Sequence, residues 1–377
     1  QARQMLQNGI QNVDQQQLDD ALQFCATFNY QREDMPEGQR LLAEIVRLKK
    51  ELATGLHYME KPIIEKAMEE SEAIRLEWDK MEEARGVLAQ SEEKFLQLQL
   101  KTANQLHDPA RAIRIMIQMK ELFFASHGKL FTFKTYGNLR PADQYAKAAL
   151  LGRDKLRINM LVWTKSPIPT SLTFLPPLFA KQSTKLFKNI LGYMGDRSMS
   201  YPDQLAQDLL NQGLATPEVR DEIYCQLIKQ MTQNPNPQST QKGWKLMELC
   251  LQTFAPGDDF ANYLEMYLRG NHGQDREKNK YVLMLHDTQY GPKKTSAPNV
   301  ETLERQNDYT PFITLDVQKE IDPSKVKVAD LDAMKAALPP GVGGPPGGGG
   351  FAAPAAAASS FTPPAQAAAA AAPVQQE

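Results

Sequence analysis

The fold of this chain is decided by the stretch Thr216-Pro-Glu-Val-Arg-Asp-Glu-Ile-Tyr-Cys-Gln-Leu-Ile-Lys-Gln-Met231. Its apolar residues fall on most sides of a helix instead of along one stripe: Val219, Ile223, Tyr224, Leu227, Ile228 and Met231. Such a helix is typical of the centre of a helical domain. At its start we expect Thr216 to accept a capping hydrogen bond and Pro217 to preset φ. We expect the adjacent acids Asp221 and Glu222 to complement the positive helix end.

Two further amphipathic helices flank this stretch. The first covers about residues 180–194, where Gly195 ends it, and the second begins near Ser239, its expected cap. Residues 161–173 contain two prolines, which favour an extended segment over a helix. Together the patterns predict an all-α helical bundle with the following core residues: Phe187, Ile190, Val219, Ile223, Leu227, Trp244 and Cys250.

Residues 1–128 also show helical periodicity and predict an N-terminal helical region. We expect Pro36 and Gly38 to separate its first and second apolar runs. After Pro62 we expect one long helix that continues to about residue 106. A heptad pattern there would place polar residues in the seam, so packed helical hairpins are favoured over a long coiled coil.

The charge distribution is strongly uneven, although the formal net charge is only -2. Residues 1–100 carry 12 basic and 19 acidic side chains, whereas residues 129–197 carry 12 basic and three acidic ones. The second segment supplies the candidate partner-binding basic surface: Lys165, Lys181, Lys185, Lys188 and Arg197. Spacings of four and three residues place Lys181, Lys185 and Lys188 on one helix face. The alternative is a basic surface that serves solubility alone.

The sequence contains no motif for catalysis, metal binding or cofactor binding. We therefore expect a protein that is not an enzyme and that binds neither a metal nor a cofactor. Its three cysteines are far apart, which fits neither a disulfide framework nor a zinc site and favours reduced core residues of a cytosolic protein. We find no phosphate-binding Gly-x-x-x-x-Gly-Lys-Ser/Thr loop and no nucleophile elbow. The basic segment has no accompanying nucleic-acid-binding motif. Apolar runs are too short to predict a membrane span.

Several motifs together resemble the myosin tail homology 4 (MyTH4) domain. They are Leu191-Gly-Tyr-Met-Gly-Asp196, Thr216 to Gln230 as quoted above, Asn234-Pro235, Lys242-Gly-Trp244 and Leu249-Cys250. The resemblance covers about a third of the chain. It implies an all-helical bundle of the kind found in tails of unconventional myosins and some kinesins. It also implies binding to cargo tails and to microtubules, the latter through surface lysines and arginines, usually beside a FERM module.

The sequence departs from this pattern downstream. Residues 291–304 resemble the linker into a FERM domain, and residues 309–317 resemble its first strand, but the match then ends. Residues 339–377 consist mainly of Gly, Pro and Ala and are expected to be disordered. We therefore divide the chain into a helical region (1–128), a MyTH4 domain with its basic approach segment (129–270), a linker (271–338) and a tail.

These patterns favour a non-catalytic cytoskeletal adaptor in the cytoplasm. Its expected partners are microtubules, actin-associated proteins or protein cargo, with no nucleic acid. One alternative is a tail fragment of an unconventional myosin or kinesin, which the start at Gln1 in place of methionine favours. Another is a static scaffold that binds through its N-terminal helices.

Overall fold

The computed structural model describes residues 1–30, 34–304 and 309–313. In these ranges the regular secondary structure is helical, with one isolated antiparallel bridge between Leu139 and Thr173. Seven helices form the N-terminal region: α1 (Ala2–Asn12), α2 (Gln15–Thr27), α3 (Met35–Tyr58), α4 (Lys61–Ala73), α5 (Asp79–Leu88), α6 (Glu92–Gln105) and α7 (Pro109–His127). The fold class predicted from sequence is confirmed.

Nine further helices follow in the described part of the chain. They are α8 (Ala142–Lys147), α9 (Arg153–Ile158), α10 (Pro177–Met194), α11 (Pro202–Ala215), α12 (Arg220–Met231), α13 (Pro237–Leu251), α14 (Asp258–His272), α15 (Lys280–Tyr290) and α16 (Val300–Glu304). Short 3-10 helices lie at Gly128–Leu130, Phe133–Thr135, Pro217–Val219 and Arg276–Lys278.

The N-terminal helices pack as successive hairpins, as predicted, and bury three small apolar clusters in place of one large core. Their starts follow from side-chain caps: Asp14 accepts from the Gln17 amide, and Asp108 accepts from the Arg111 amide. Each cap satisfies an amide that the first helical turn leaves without a partner. The N-terminal region is therefore a row of locally stabilised helix pairs.

The single long helix expected between residues 62 and 106 is wrong. Three helices, α4 to α6, occupy this range. After α4, Arg75 has a φ of 61°, which is a left-handed backbone conformation. The change in chain direction places Leu76 in the apolar cluster that contains Leu48. Ser91 then caps α6 by accepting from the Lys94 amide. Burial of Leu76 thus outweighs the helical propensity of the surrounding residues.

Pro36 and Gly38 do not separate two helices, because both lie in the first turn of α3. Proline is tolerated there since the first helical amides have no partner within the helix. At Gly38, a Cβ atom would lie 2.6 Å from Leu6 Cδ1, so glycine lets α1 approach α3 closely. The boundary that the sequence placed at Pro36 and Gly38 lies instead before Met35, where α3 begins.

Helix α12 lies at the centre of the main core, which extends from Tyr136 to Val300. Every residue from Glu222 to Met231 is buried. The core residues named from sequence all belong to this core and are buried completely, except for Trp244, which is half-buried, packs against the core and stacks on Tyr267 with ring centroids 5.7 Å apart. The expected domain end at residue 270 lies inside α14, and α15 belongs to the same core.

Two of the expected helix caps are wrong. Thr216 makes no capping bond with its side chain, because a 3-10 turn at Pro217–Val219 precedes α12. Asn236 caps α13 by accepting from the amides of Gln238 and Ser239. Ser239 instead donates its hydroxyl to Asp196 over 2.9 Å. The sequence pattern therefore located the helix starts to within a few residues but assigned the capping atoms incorrectly.

The acidic pair at the start of α12 does more than complement the helix dipole. Asp221 accepts from the Gly257 amide over 2.6 Å and from the Tyr136 hydroxyl over 3.2 Å. Glu222 is fully buried and accepts from the amides of Leu172 and Thr173 over 2.8 and 2.7 Å. Burial raises the pKa of Glu222, and these hydrogen bonds oppose that rise. The carboxylate thereby fixes the irregular segment before α10 against the central helix.

A buried ionic network joins the N-terminal region to the main core. Lys120 on α7 lies 2.7 Å from Glu265 on α14, and both side chains are buried. Arg269 and His286 also contact Glu265, over 2.6 and 3.1 Å. Burial alone would raise the pKa of Glu265, but the Lys120 ammonium, together with His286 and Arg269, holds this pKa well below its usual value. The network ties α7, α14 and α15 together.

We expect Glu222→Gln to lower the free energy of unfolding by about 2 kcal/mol, because its amide NH2 would face N–H donors in a buried site. Urea denaturation followed by circular dichroism measures this change. Glu218→Gln, at an exposed position four residues before the start of the buried run, is the matched control. Equal stability of the two variants would contradict the assigned role of Glu222.

Lys229 generates a prediction about pH. It is buried, its ammonium donates to the carbonyls of Asn159 and Val162, and burial lowers its pKa to about 8 from an ordinary 10.5. Between these values the unfolded chain keeps a proton that the folded chain has released, so folding becomes more favourable as pH rises.

Lys229→Met removes this dependence. We expect the stability of the wild type relative to this variant to increase by about 3 kcal/mol across that pH window. Lys101→Met changes an exposed lysine and is the control. The free energy of unfolding of each variant is measured by urea denaturation at each pH. If it changes with pH in the same way in both variants, the burial of Lys229 does not make stability depend on pH.

Candidate interaction surface

The outer face of α10 carries a row of three lysines, which we call the lysine stripe: Lys181, Lys185 and Lys188. All three side chains are exposed, while Phe187 and Ile190 on the opposite face are fully buried. With a rise of about 1.5 Å per residue, the stripe is roughly 10 Å long. The core therefore fixes which face of α10, and hence which charges, point outward.

The lysine stripe has no acidic neighbour on its own helix, because α10 contains no Asp or Glu. Among the residues that the structure describes, no carboxylate forms an ion pair with any of the three lysines. Three like charges on adjacent turns repel one another, which mildly disfavours the isolated helix. An acidic partner would relieve this repulsion, so the stripe suits a negatively charged surface.

Asp196 is the hub that organises the region beyond the C-terminal end of α10. It accepts from the indole of Trp163 over 3.0 Å, from Gln230 over 2.7 Å and from Ser239 over 2.9 Å. Gln230 also donates to the Thr164 carbonyl over 2.9 Å. These bonds join four parts of the chain: the extended segment, the turn that follows α10, helix α12 and helix α13.

The two other basic residues predicted for the surface lie beside this hub and not on the lysine stripe. Lys165 follows Thr164, Arg197 follows Asp196, and both side chains are exposed. The structure thus brings the predicted residues into two groups. One is set by the face of α10, and the other is set by the hydrogen bonds of Asp196.

Sequence reasoning missed an exposed hairpin between α8 and α9. Its tip residues, Leu150 and Leu151, are among the most exposed apolar side chains of the described chain. A run of Ala and Leu between charged residues is more often a core element, so the pattern alone gave no signal of exposure. Only the burial of Tyr145 at the hairpin base shows which part faces the core.

Side chains on α11 and α15 bind the backbone of the segment that follows α15. Gln207 on α11 donates to the Pro298 carbonyl and accepts from the Val300 amide, each over 3.1 Å. Asp287 on α15 accepts from the amides of Phe312 and Ile313 over 2.6 and 2.8 Å. Residues 309–313 form no strand, and the rest of the strand predicted for 309–317 lies outside the described residues, as does the tail predicted to be disordered.

Within the described ranges, no group of three or more His, Cys, Asp or Glu side chains is arranged to hold a metal ion. Each helix there is too short or too polar to cross a lipid bilayer. The three cysteines are free and buried, and burial raises the pKa of the Cys225 and Cys250 thiols, which makes them poor nucleophiles.

Comparison with known proteins gives a domain match and several relatives. The MyTH4 domain family model matches residues 206–303, which cover most of α11 and all of α12 to α15. The lysine stripe lies outside this range, and its last residue, Lys188, is 18 residues before the start of the match. The chain is 53% identical over 325 residues to the high molecular weight form of myosin-1 of Acanthamoeba castellanii. The aligned region covers 86% of this chain and 20% of that protein.

Other relatives share a smaller part of the chain. Kinesin-like protein KIN-14E of Arabidopsis thaliana is 34% identical over 162 residues, covering 39% of this chain and 13% of that protein. The solved MyTH4-FERM MF1 domain of Dictyostelium discoideum myosin VII aligns with a TM-score of 0.40 at 24% identity, covering 47% of this chain and 37% of that one. This chain thus spans about a fifth or less of the myosin and kinesin relatives.

We expect Asp196→Ala to loosen the hub, because three donors lose their shared acceptor. The free energy of unfolding should fall by about 2 kcal/mol. Hydrogen exchange should become faster at the Thr164 amide, which donates to Gln230 Oε1 over 3.4 Å. Asp208→Ala, at an exposed position bonded to a neighbouring glutamine, is the control. Unchanged exchange at residues 161–166 would contradict the hub.

Proposed function

Because this chain contains a MyTH4 domain, a domain of myosin and kinesin tails, we propose that it is a non-catalytic cytoskeletal adaptor segment. In this proposal the segment docks on the acidic surface of microtubules through the lysine stripe, with Lys165 and Arg197 as a second contact. The observation that carries the proposal is the stripe itself: three exposed lysines on one face of a helix without acidic residues.

Electrostatics favours an acidic, extended partner over a small ligand. The lysines are spread over roughly 10 Å of helix, so they suit a surface with repeated negative charges. They are exposed and are screened by salt, because the Debye length falls from about 10 Å at 0.1 M to about 3 Å at 1 M. Such contacts speed association and set specificity more than they add affinity.

The segment is further proposed to be a stretch of a myosin tail in a cytoskeleton-associated protein. Identity of 53% along most of the chain with a myosin supports this, since the shared region is far longer than the domain match. The ATP-driven motor of such a protein would then lie in another part of the molecule, and this segment would connect it to its partner. Protein cargo is a second class of partner for the same segment.

Charge reversal of the lysine stripe tests the proposal. We expect Lys181→Glu/Lys185→Glu/Lys188→Glu to weaken co-sedimentation with microtubules by roughly tenfold or more, since three favourable contacts become repulsive. Binding of the wild type should also weaken when salt is raised from about 0.05 M to about 0.3 M. Microtubules whose acidic tails have been removed by protease should bind the wild type less tightly.

The matched control reverses three exposed lysines of the N-terminal helices: Lys66, Lys94 and Lys101. This variant carries the same change in net charge and should bind as the wild type does. If it loses binding while the stripe variant keeps it, the partner is held by the N-terminal helices and the chain is the scaffold considered as an alternative. Equal loss in both variants would indicate attraction by net charge alone.

A further inference from the structure

The hairpin of α8 and α9 ends in a tip that the rest of the described fold leaves uncovered. Leu150 and Leu151 at the tip are 92% and 87% exposed. The base is well packed, because Tyr145 is buried in the main core and Leu156 packs against that core. Two consecutive leucines in water on an anchored element indicate that another apolar surface covers them.

The hairpin holds its tip in a defined orientation. Arg157 on α9 lies 2.5 Å from Asp143 on α8, and it also lies 3.0 Å from Asp154. Gly152 has a φ of 71°, a left-handed conformation that suits glycine and turns the chain from the tip into α9. Burial at the base and one ion pair between the two helices therefore present the leucines outward.

The free charges around the tip are positive. Lys147 precedes the tip, Lys155 follows it, and both are exposed without an ion-pair partner among the described residues. Arg153 is also exposed, and its Nε donates to the Ala149 carbonyl over 3.0 Å. The two carboxylates of the hairpin both contact Arg157, and four basic against two acidic side chains leave the hairpin with a net charge of +2.

We propose that this tip is a wedge that binds the surface of an anionic membrane. Leu150 and Leu151 enter the boundary between headgroups and acyl chains, while Lys147, Arg153 and Lys155 contact lipid phosphates. The combination of an apolar tip with cations at its margin is what an interfacial membrane contact requires. This role is separate from the lysine stripe, which lies on α10 and has no comparable pair of exposed consecutive leucines.

A bilayer fits the tip better than a protein partner does. Specific protein interfaces bury about 1,200 to 2,000 Å² in total, far more than two leucine side chains supply. A lipid boundary needs no matching pocket, because acyl chains adapt to the shape of the inserted side chains. Its anionic headgroups also complement the three cations, whereas an apolar protein groove would leave those charges without partners.

The experiment measures binding of the full chain to vesicles of phosphatidylcholine alone and of phosphatidylcholine with about 30% phosphatidylserine. We expect the wild type to bind the anionic vesicles and to bind the neutral ones far more weakly. Leu150→Ser/Leu151→Ser should reduce binding to anionic vesicles by about tenfold, as should Lys147→Ala/Lys155→Ala. Circular dichroism verifies that each variant is folded.

Leu130→Ser/Leu178→Ser replaces two exposed leucines outside the hairpin and should bind as the wild type does. The proposal is overturned if the tip variant keeps the wild-type affinity, if the control variant loses as much, or if neutral and anionic vesicles bind equally. It is also overturned if the wild type binds no vesicles. In that case, loss of self-association in the tip variant would assign the tip to a contact between two copies of the chain.

Discussion

The burial of α12 from Glu222 to Met231 governs how the surrounding segments pack. A helix buried on every side must find partners for its polar side chains, since an unpaired buried donor or acceptor is costly. In this fold Tyr224 and Gln226 donate to the carbonyls of Phe254 and Ser183. The irregular segment 159–173 supplies backbone partners to three further side chains. Glu222 accepts from amides of that segment, and Lys229 and Gln230 donate to its carbonyls. The helix supplies the hydrogen bonds that the segment cannot make within itself.

This arrangement decides what reaches the surface. Because segment 159–173 is fixed against α12, the helices on either side of it are fixed as well: the hairpin of α8 and α9 before it and α10 after it. The lysine stripe on α10 and the leucine tip of the hairpin are thereby both positioned by the contacts that α12 makes with this segment. Asp196 adds the turn after α10 to the same set of contacts.

The N-terminal helices are stabilised differently from the main core. Their three small clusters make each hairpin locally stable, and the link to the main core is ionic and aromatic. Lys120 contacts Glu265, and Phe131 packs against Tyr263 with ring centroids 5.3 Å apart. A buried ion pair contributes little net stability when intact, but removal of one partner leaves an uncompensated charge. The junction therefore specifies how the two regions meet more than it stabilises either.

The sequence by itself determined the helical class, the central position of α12 and the face of α10 that carries lysines, because apolar periodicity and charge spacing are local properties. It did not determine that Glu222 and Lys229 are buried, that residues 62–106 form three helices, or that Leu150 and Leu151 are exposed. Those outcomes rest on contacts between residues far apart in the chain. Glu222 is stable in the core because donors such as the Leu172 and Thr173 amides meet it there, and Leu150 is exposed at the tip of a hairpin whose Tyr145 is buried in the core.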